Sequence, residues 1–141
     1  LSSFLVDTNV ISEVAKPFPA PQVARWLDQA SPMTTYTSVI TLGELRIGIE
    51  GLALGKRRTE LEAWLESGLP TWFSANLLPV SREISDVWGR LTIRAKRNGT
   101  PLAMADGLIA ATAVVHRLTV VTRNTSHFTN FSVQLLDPWT I

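Results

Sequence analysis

The strongest constraint on this chain is the alternation of short, continuously apolar or β-branched runs with longer segments of helical periodicity. The runs fall at residues 4–6, 34–37, 77–80, 119–122 and 133–136. A strand with one wet face alternates apolar and polar side chains. These runs do not, so they predict a parallel sheet covered on both faces. Between them, Asp7 or Thr8 caps a helix carrying Val10, Ile11 and Val14 that Pro17 stops, and residues 23–30 form a second. Ser38 opens a third, residues 56–67 make a fourth, and Ser81 caps a fifth whose apolar stripe is Ile84, Val87, Trp88, Leu91 and Ile93. Asn98-Gly99 ends that helix, and Pro101 begins the last one, over residues 102–117. Ligands in such folds sit beyond the carboxyl ends of the strands, where Asp7 and Asn124 both fall.

With 141 residues and no break in composition, residues 1–141 are expected to form one domain. Hydrophobic residues make up 45% and charged residues 18%, which supplies a core and argues against disorder. No apolar run approaches the roughly 18 residues of a membrane span. No basic-then-apolar leader opens the chain, and with no cysteine present a cytoplasmic location is the expectation. Leu1 stands where a Met would start translation, so the start is processed, non-standard or trimmed. Two histidines and no cysteine argue against a zinc centre, and a net charge of +1 argues against a uniformly basic face. Basic character is confined to Lys56-Arg57-Arg58 and to Arg90, Arg94, Lys96 and Arg97, with Arg123 apart; both clusters read first as solvated charges.

Three carboxylates sit in awkward places. Asp7 ends an apolar run, though an Asp before a helix is also a common N-cap. Glu44 lies in an apolar helix, with Thr41 one turn before it and Gly48 one turn after. Asp106 precedes Gly107 inside an otherwise packed helix, a pairing that costs up to about 1 kcal/mol per residue relative to alanine. Its own face carries Ala103, Ala110 and Ala113, all small. Buried carboxylates neutralise or find a cation, and several together raise one another's pKa. A hard ion that keeps some of its waters, Mg²⁺ or Mn²⁺, resolves that repulsion and suits hydrolysis of a phosphodiester.

The stretches Leu5-Val6-Asp7-Thr8-Asn9-Val10, Gly43-Glu44-Leu45, Ala105-Asp106-Gly107-Leu108-Ile109-Ala110-Ala111-Thr112-Ala113 and Val121-Thr122-Arg123-Asn124-Thr125 occur in that order. Together they resemble the PIN-domain ribonucleases, most closely the VapC toxins of bacterial type II toxin–antitoxin systems in the FitB-like subgroup. The resemblance extends to the Asp137-Pro138-Trp139 ending and so covers essentially the whole chain. It implies a three-layer α/β/α sandwich with a mainly parallel central sheet and a Mg²⁺-dependent endoribonuclease, with Mn²⁺ as a possible substitute. Asp7, Glu44 and Asp106 match the family's metal ligands. A metal-bound water would attack the phosphodiester in line, leaving a 5′-phosphate and a 3′-hydroxyl. Thr8 and Thr122 would orient ligands or water, and Asn9 would hydrogen-bond within the pocket. Expected partners are an RNA substrate, a second copy of the chain, a small antitoxin, and operator DNA through that antitoxin. The fourth acidic position of the family is Asn124 here, counted with the catalytic set. Its amide oxygen can ligate or hold a metal-bound water but carries no charge, which favours one tightly held ion over two unless substrate phosphate completes a second site; the alternative is that it shapes the turn after the strand.

Other residues stay in the background. Glu13 reads as solvated or at the pocket rim, His127 first as a surface loop histidine with a proton carrier or RNA contact as the alternative, and His116 as a favourable charge at a helix C-terminus. Trp26, Trp64 and Trp88 fall on apolar faces and read as core or dimer material. A haloacid-dehalogenase-type phosphatase needs a second Asp where Asn9 stands, a receiver domain needs a late Lys where Arg123-Asn124 stands, and no Walker-type glycine loop occurs. A PIN-like module acting mainly through an antitoxin–DNA complex is the competing reading, carried by Asn124 and the small net charge.

Overall fold

The computed structural model describes residues 2–141, so the question of the start at Leu1 lies outside the described residues. Five parallel strands form the sheet: β1 (Phe4–Val6), β2 (Thr35–Ser38), β3 (Leu77–Leu78), β4 (Thr119–Val121) and β5 (Leu135–Leu136), in the order β3-β2-β1-β4-β5. Helices cover both faces: α1 (Thr8–Val14), α2 (Pro21–Gln29), α3 (Val39–Glu50), α4 (Lys56–Ala63), α5 (Leu69–Phe73), α6 (Arg82–Arg97) and α7 (Met104–His116). This is the expected α/β/α sandwich with a parallel sheet.

Side chains of successive strand residues point to opposite faces, and the two cores divide accordingly. Leu5 and Val120 pack with Ile84, Leu91, Ile109 and Phe128 beneath α6 and α7. Val6 and Val121 pack with Val10, Ile11, Leu45 and Phe73 beneath α1, α3 and α5. Burying each of these side chains contributes about 1.5–3 kcal/mol against leaving it in water. Both faces of the middle strands are therefore apolar, the cause of the unbroken hydrophobic runs.

The order of the strands places the site. From β1 the chain steps through β2 and β3 to one edge, then crosses to β4 on the other side of β1. The strands all run parallel, but the direction in which successive strands are added reverses between β1 and β4, leaving a crevice at their carboxyl ends. Asp7 follows β1 and Thr122 follows β4, with the Asp7 amide donating to the Val121 carbonyl at 2.9 Å.

Several elements differ from expectation. The fourth helix does not end at Ser67: a π-helical turn (Trp64–Gly68) joins α4 to α5, and the buried Leu69 and Phe73 draw the helix onward. Pro70, which has no N–H to donate, directly follows the π turn, where the regular helical ladder is already interrupted. The last helix starts at Met104 instead of 102, with Ala103 extended at φ −61° and ψ 145°. On α6, Ile93 faces solvent and Ala95 is buried in its place. That helix does end as expected: Gly99 takes φ 72°, and the Thr100 and Gly99 amides close back on Ala95 and Lys96 at 2.9 and 3.2 Å.

Candidate active site

Asp7 caps α1 and stands at the mouth of the crevice. Its Oδ1 accepts the Thr8 amide at 2.8 Å and so starts α1, while Oδ2 accepts the Thr122 hydroxyl at 2.8 Å and the Asn9 amide group at 3.4 Å. The side chain is buried, and burial raises its pKa above the ordinary carboxylate value. The hydrogen bonds from Thr122 and Thr8 oppose that rise, and the negative charges of Asp106 and Glu44 reinforce it. Three segments far apart in sequence thus act on one carboxylate.

Thr122 is the hub on the β4 side. It is fully buried, and its hydroxyl uses its one proton on Asp7 while accepting Asn9 Nδ2 at 3.1 Å and the Asn124 amide at 3.0 Å. Asn9 returns the connection by accepting the Arg123 amide at 3.2 Å. The Arg123 guanidinium lies over the Trp139 ring, 5.0 Å from its centroid, which tethers the turn after β4 to the C-terminal segment.

Glu44 enters from α3. Thr8 Oγ1 donates to Glu44 Oε1 at 2.5 Å and sits 3.1 Å from the Thr41 hydroxyl, the residue one turn earlier on the same face. Glu44 is half-buried rather than exposed. Asp106 enters from the first turn of α7, and its Oδ2 lies 2.9 Å from His127 Nδ1. Asn124 joins only through its backbone: its side chain is exposed and makes no hydrogen bond among the described residues.

Asp7, Thr8, Asn9, Glu44 and Thr122 therefore form one hydrogen-bonded network, and Asp106 faces it across the crevice. Among the described residues, no three carboxylate or imidazole groups close into a ready-made cage for an ion. The donor set is all oxygen, open, and self-repelling.

One reading is corrected and one is extended. Glu13 is not solvated: it is buried, accepts Lys16 Nζ and the Ala20 amide at 2.9 Å each, and those bonds hold its carboxyl below the usual range. His127 is exposed in the turn after β4, as expected of a loop histidine, and is in addition a partner of Asp106, a pairing across 21 residues that no local pattern marks. The Lys56-Arg57-Arg58 cluster is engaged within the chain, Arg58 with Glu50 and Glu62 and Arg57 with the Ala15 carbonyl.

The family model described as "PIN domain" matches residues 4–132. This chain belongs to the PIN-domain family. It is 40% identical over 135 residues to Toxin FitB of Neisseria gonorrhoeae, covering 96% of this chain and 97% of that protein. It is 39% identical over 135 residues to VapC ribonuclease Y4jK of Sinorhizobium fredii, covering 96% of each. The solved structure of FitAB bound to an IR36 DNA fragment superposes with a TM-score of 0.91 at 37% identity, over 98% of this chain and 96% of that one. No helix among the described residues is long and apolar enough to cross a membrane.

Proposed function

We propose that this PIN-domain protein is the toxin of a toxin–antitoxin pair and a metal-dependent endoribonuclease. The observation that carries this reading is the convergence of the buried Asp7 carboxylate with Glu44 and Asp106 at the switch point of a parallel sheet, where burial first, and the charges of Asp106 and Glu44 after it, disfavour the ionised Asp7. Such repulsion is relieved by a cation. The donor chemistry fits one: Asp7, Glu44 and Asp106 offer only hard oxygen atoms, which Mg²⁺ and Mn²⁺ prefer, and although these groups do not close into a ready-made cage among the described residues, such ions keep several waters of their own. With Asn124 neutral at the fourth position, the chain supplies three negative charges for a single ion.

When bound, the ion supplies a water of lowered pKa and neutralises charge on the phosphoryl group. The chain's own residues hold the carboxylates ready. Thr122 and Asn9 fix Asp7 Oδ2, Thr8 fixes Glu44 Oε1, and His127 fixes Asp106 Oδ2, so that each carboxylate enters the crevice in one orientation. Orientation set before the substrate arrives is the main contribution a protein makes to such hydrolysis.

The toxin role rests on similarity to Toxin FitB and to a VapC ribonuclease. Likeness to FitAB on DNA supports an antitoxin partner, operator DNA reached through that antitoxin, and a homodimer; a cytoplasmic site of action completes the reading. The test is cleavage of a mixed RNA pool by antitoxin-free protein with Mg²⁺ or Mn²⁺, with EDTA, and by Asp106→Asn. Metal-dependent cuts lost in the variant are the expected result. Folded wild-type protein that cuts nothing with either metal supports instead a binding module acting through its antitoxin. Full activity in Asp106→Asn removes that residue from the site.

A further inference from the structure

A cleft of about 280 Å³ opens beside Asp106, between the loop that follows α6, the start of α7 and the turn carrying His127. Its polar walls include Thr100, His127 and Asn130, and its apolar surface comes from Leu102 and Phe131. Lys and Arg are absent from its lining, and Asp106 contributes the lone carboxylate there. A phosphate group placed in this cleft would meet no compensating cation. A flat neutral group with hydrogen-bonding edges meets apolar surface on its faces and amide and hydroxyl groups at its rim. The volume lies just below the usual range for small-molecule pockets, roughly 300–1,000 Å³, a scale suited to one ring system.

We propose that this cleft receives a single unpaired nucleobase of the RNA, next to the phosphodiester cut at the acidic site, and that Asn130 and Thr100 read its edge. The inference rests on the nuclease reading and deepens it. His127 joins the two sites: Nδ1 meets Asp106 Oδ2 at 2.9 Å while the half-exposed ring forms a wall of the cleft. A base seated against that ring lies one side chain away from a carboxylate of the acidic site. Asn130 Nδ2 makes only a long 3.4 Å bond to Thr100 Oγ1, whose own proton goes to the Ala95 carbonyl at 3.4 Å, so Asn130 keeps its amide oxygen and a second N–H, and Thr100 an acceptor lone pair, for a ligand.

The backbone of the same strand has a track to follow. Arg94 and Arg97 are exposed at the C-terminal end of α6, and neither pairs with a carboxylate among the described residues. Arg97 lies three residues before Thr100, which limits their separation to about 11 Å of extended chain. Single-stranded RNA is read in this way, with splayed bases in pockets and phosphates on arginine.

The test is mapping of cut sites on a random-sequence single-stranded RNA pool by wild type, Asn130→Asp and Thr100→Val, with circular dichroism to check folding. Both variants are expected to change the base preference at one position beside the cut by about tenfold, while cleavage keeps its dependence on added metal. Unchanged preference in both variants overturns the subsite and leaves the nuclease reading standing. Failure of wild type to cut any RNA overturns both. A second measurement is independent of the variants: the four nucleoside monophosphates are titrated into wild-type protein in EDTA and followed by amide NMR. Base-dependent shifts at Thr100, His127 and Asn130 are expected; identical shifts for all four bases, or none, overturn the proposal.

Discussion

Replacing Gly107 by alanine sets two opposing effects against each other. In a helix interior the change to alanine stabilises by about 1 kcal/mol. At Gly107, however, the added Cβ would stand 2.9 Å from both Cδ1 and Nε1 of Trp88 and 3.2 Å from Leu102 Cδ2. An indole is rigid, and this one packs against the core beneath α6 and α7, so it cannot simply swing away. Overpacking of this kind costs about 1–3 kcal/mol. The clash wins, and Gly107→Ala is expected to be destabilised by about 1–2 kcal/mol in a urea melt with an unchanged m-value, or by about 3–6 °C in a thermal melt. Gly48 and Gly89 provide the control, since a Cβ there meets nothing within 4 Å. Alanine at either is expected to raise the midpoint by about 2–3 °C. Because Asp106 is the preceding residue, Gly107→Ala is also expected to lose activity while still folded. A Gly107→Ala protein as stable as wild type, alongside a destabilised Gly89→Ala, refutes the packing argument.

Three further outcomes follow from the site and its flanks. The folded-state pKa of Asp7 is raised, so metal-free stability declines as pH climbs from 3.8 through that raised value, and the loss persists at neutral pH. In EDTA the stability of wild type relative to Asp7→Asn should therefore fall as pH rises from below 3.8 to 7, whatever the constant offset from the bonds at Oδ2 that an Asn amide cannot accept, whereas added Mg²⁺ should stabilise only wild type; a difference that moves the other way with pH contradicts this. Thr122→Val removes the hydroxyl that serves Asp7, Asn9 and the Asn124 amide, and should cost about 1–3 kcal/mol in denaturant titration while raising the Mg²⁺ concentration needed for cleavage. Arg117 ends α7 in the left-handed region at φ 56°, so Arg117→Gly should gain about 0.5–1 kcal/mol without touching activity, as a melt and a cleavage assay on the same sample will show.

Gly107 also shows where local reading of a sequence misleads. The Asp106-Gly107 pair breaks a helix rule, which invites a functional reading of both residues. The structure separates them: Asp106 faces the acidic crevice, while Gly107 is glycine because Trp88 occupies the space of a side chain. Glu13 misleads in the opposite direction. Its sequence position suggests solvent, but Lys16 three residues on and the Ala20 amide complete its hydrogen bonds and allow burial.

The sequence by itself determined what depends on neighbours a few residues apart. Apolar runs marked the strands; Ser38, Ser81 and the Asp7-Thr8 pair marked helix starts, which Ser38, Ser81 and Asp7 cap; small residues beside Glu44 and Asp106 singled those carboxylates out as candidates. Capping, turn chemistry and periodicity act within one or two helical turns, and so they are legible along the chain. Tertiary structure alone decided which distant groups meet. Thr8 reaches Glu44 across 36 residues, His127 reaches Asp106 across 21, and Thr122 reaches Asp7 across 115. Those pairings follow from the crossing that places β4 beside β1, a choice made by burying both faces of the sheet at once rather than by any local preference.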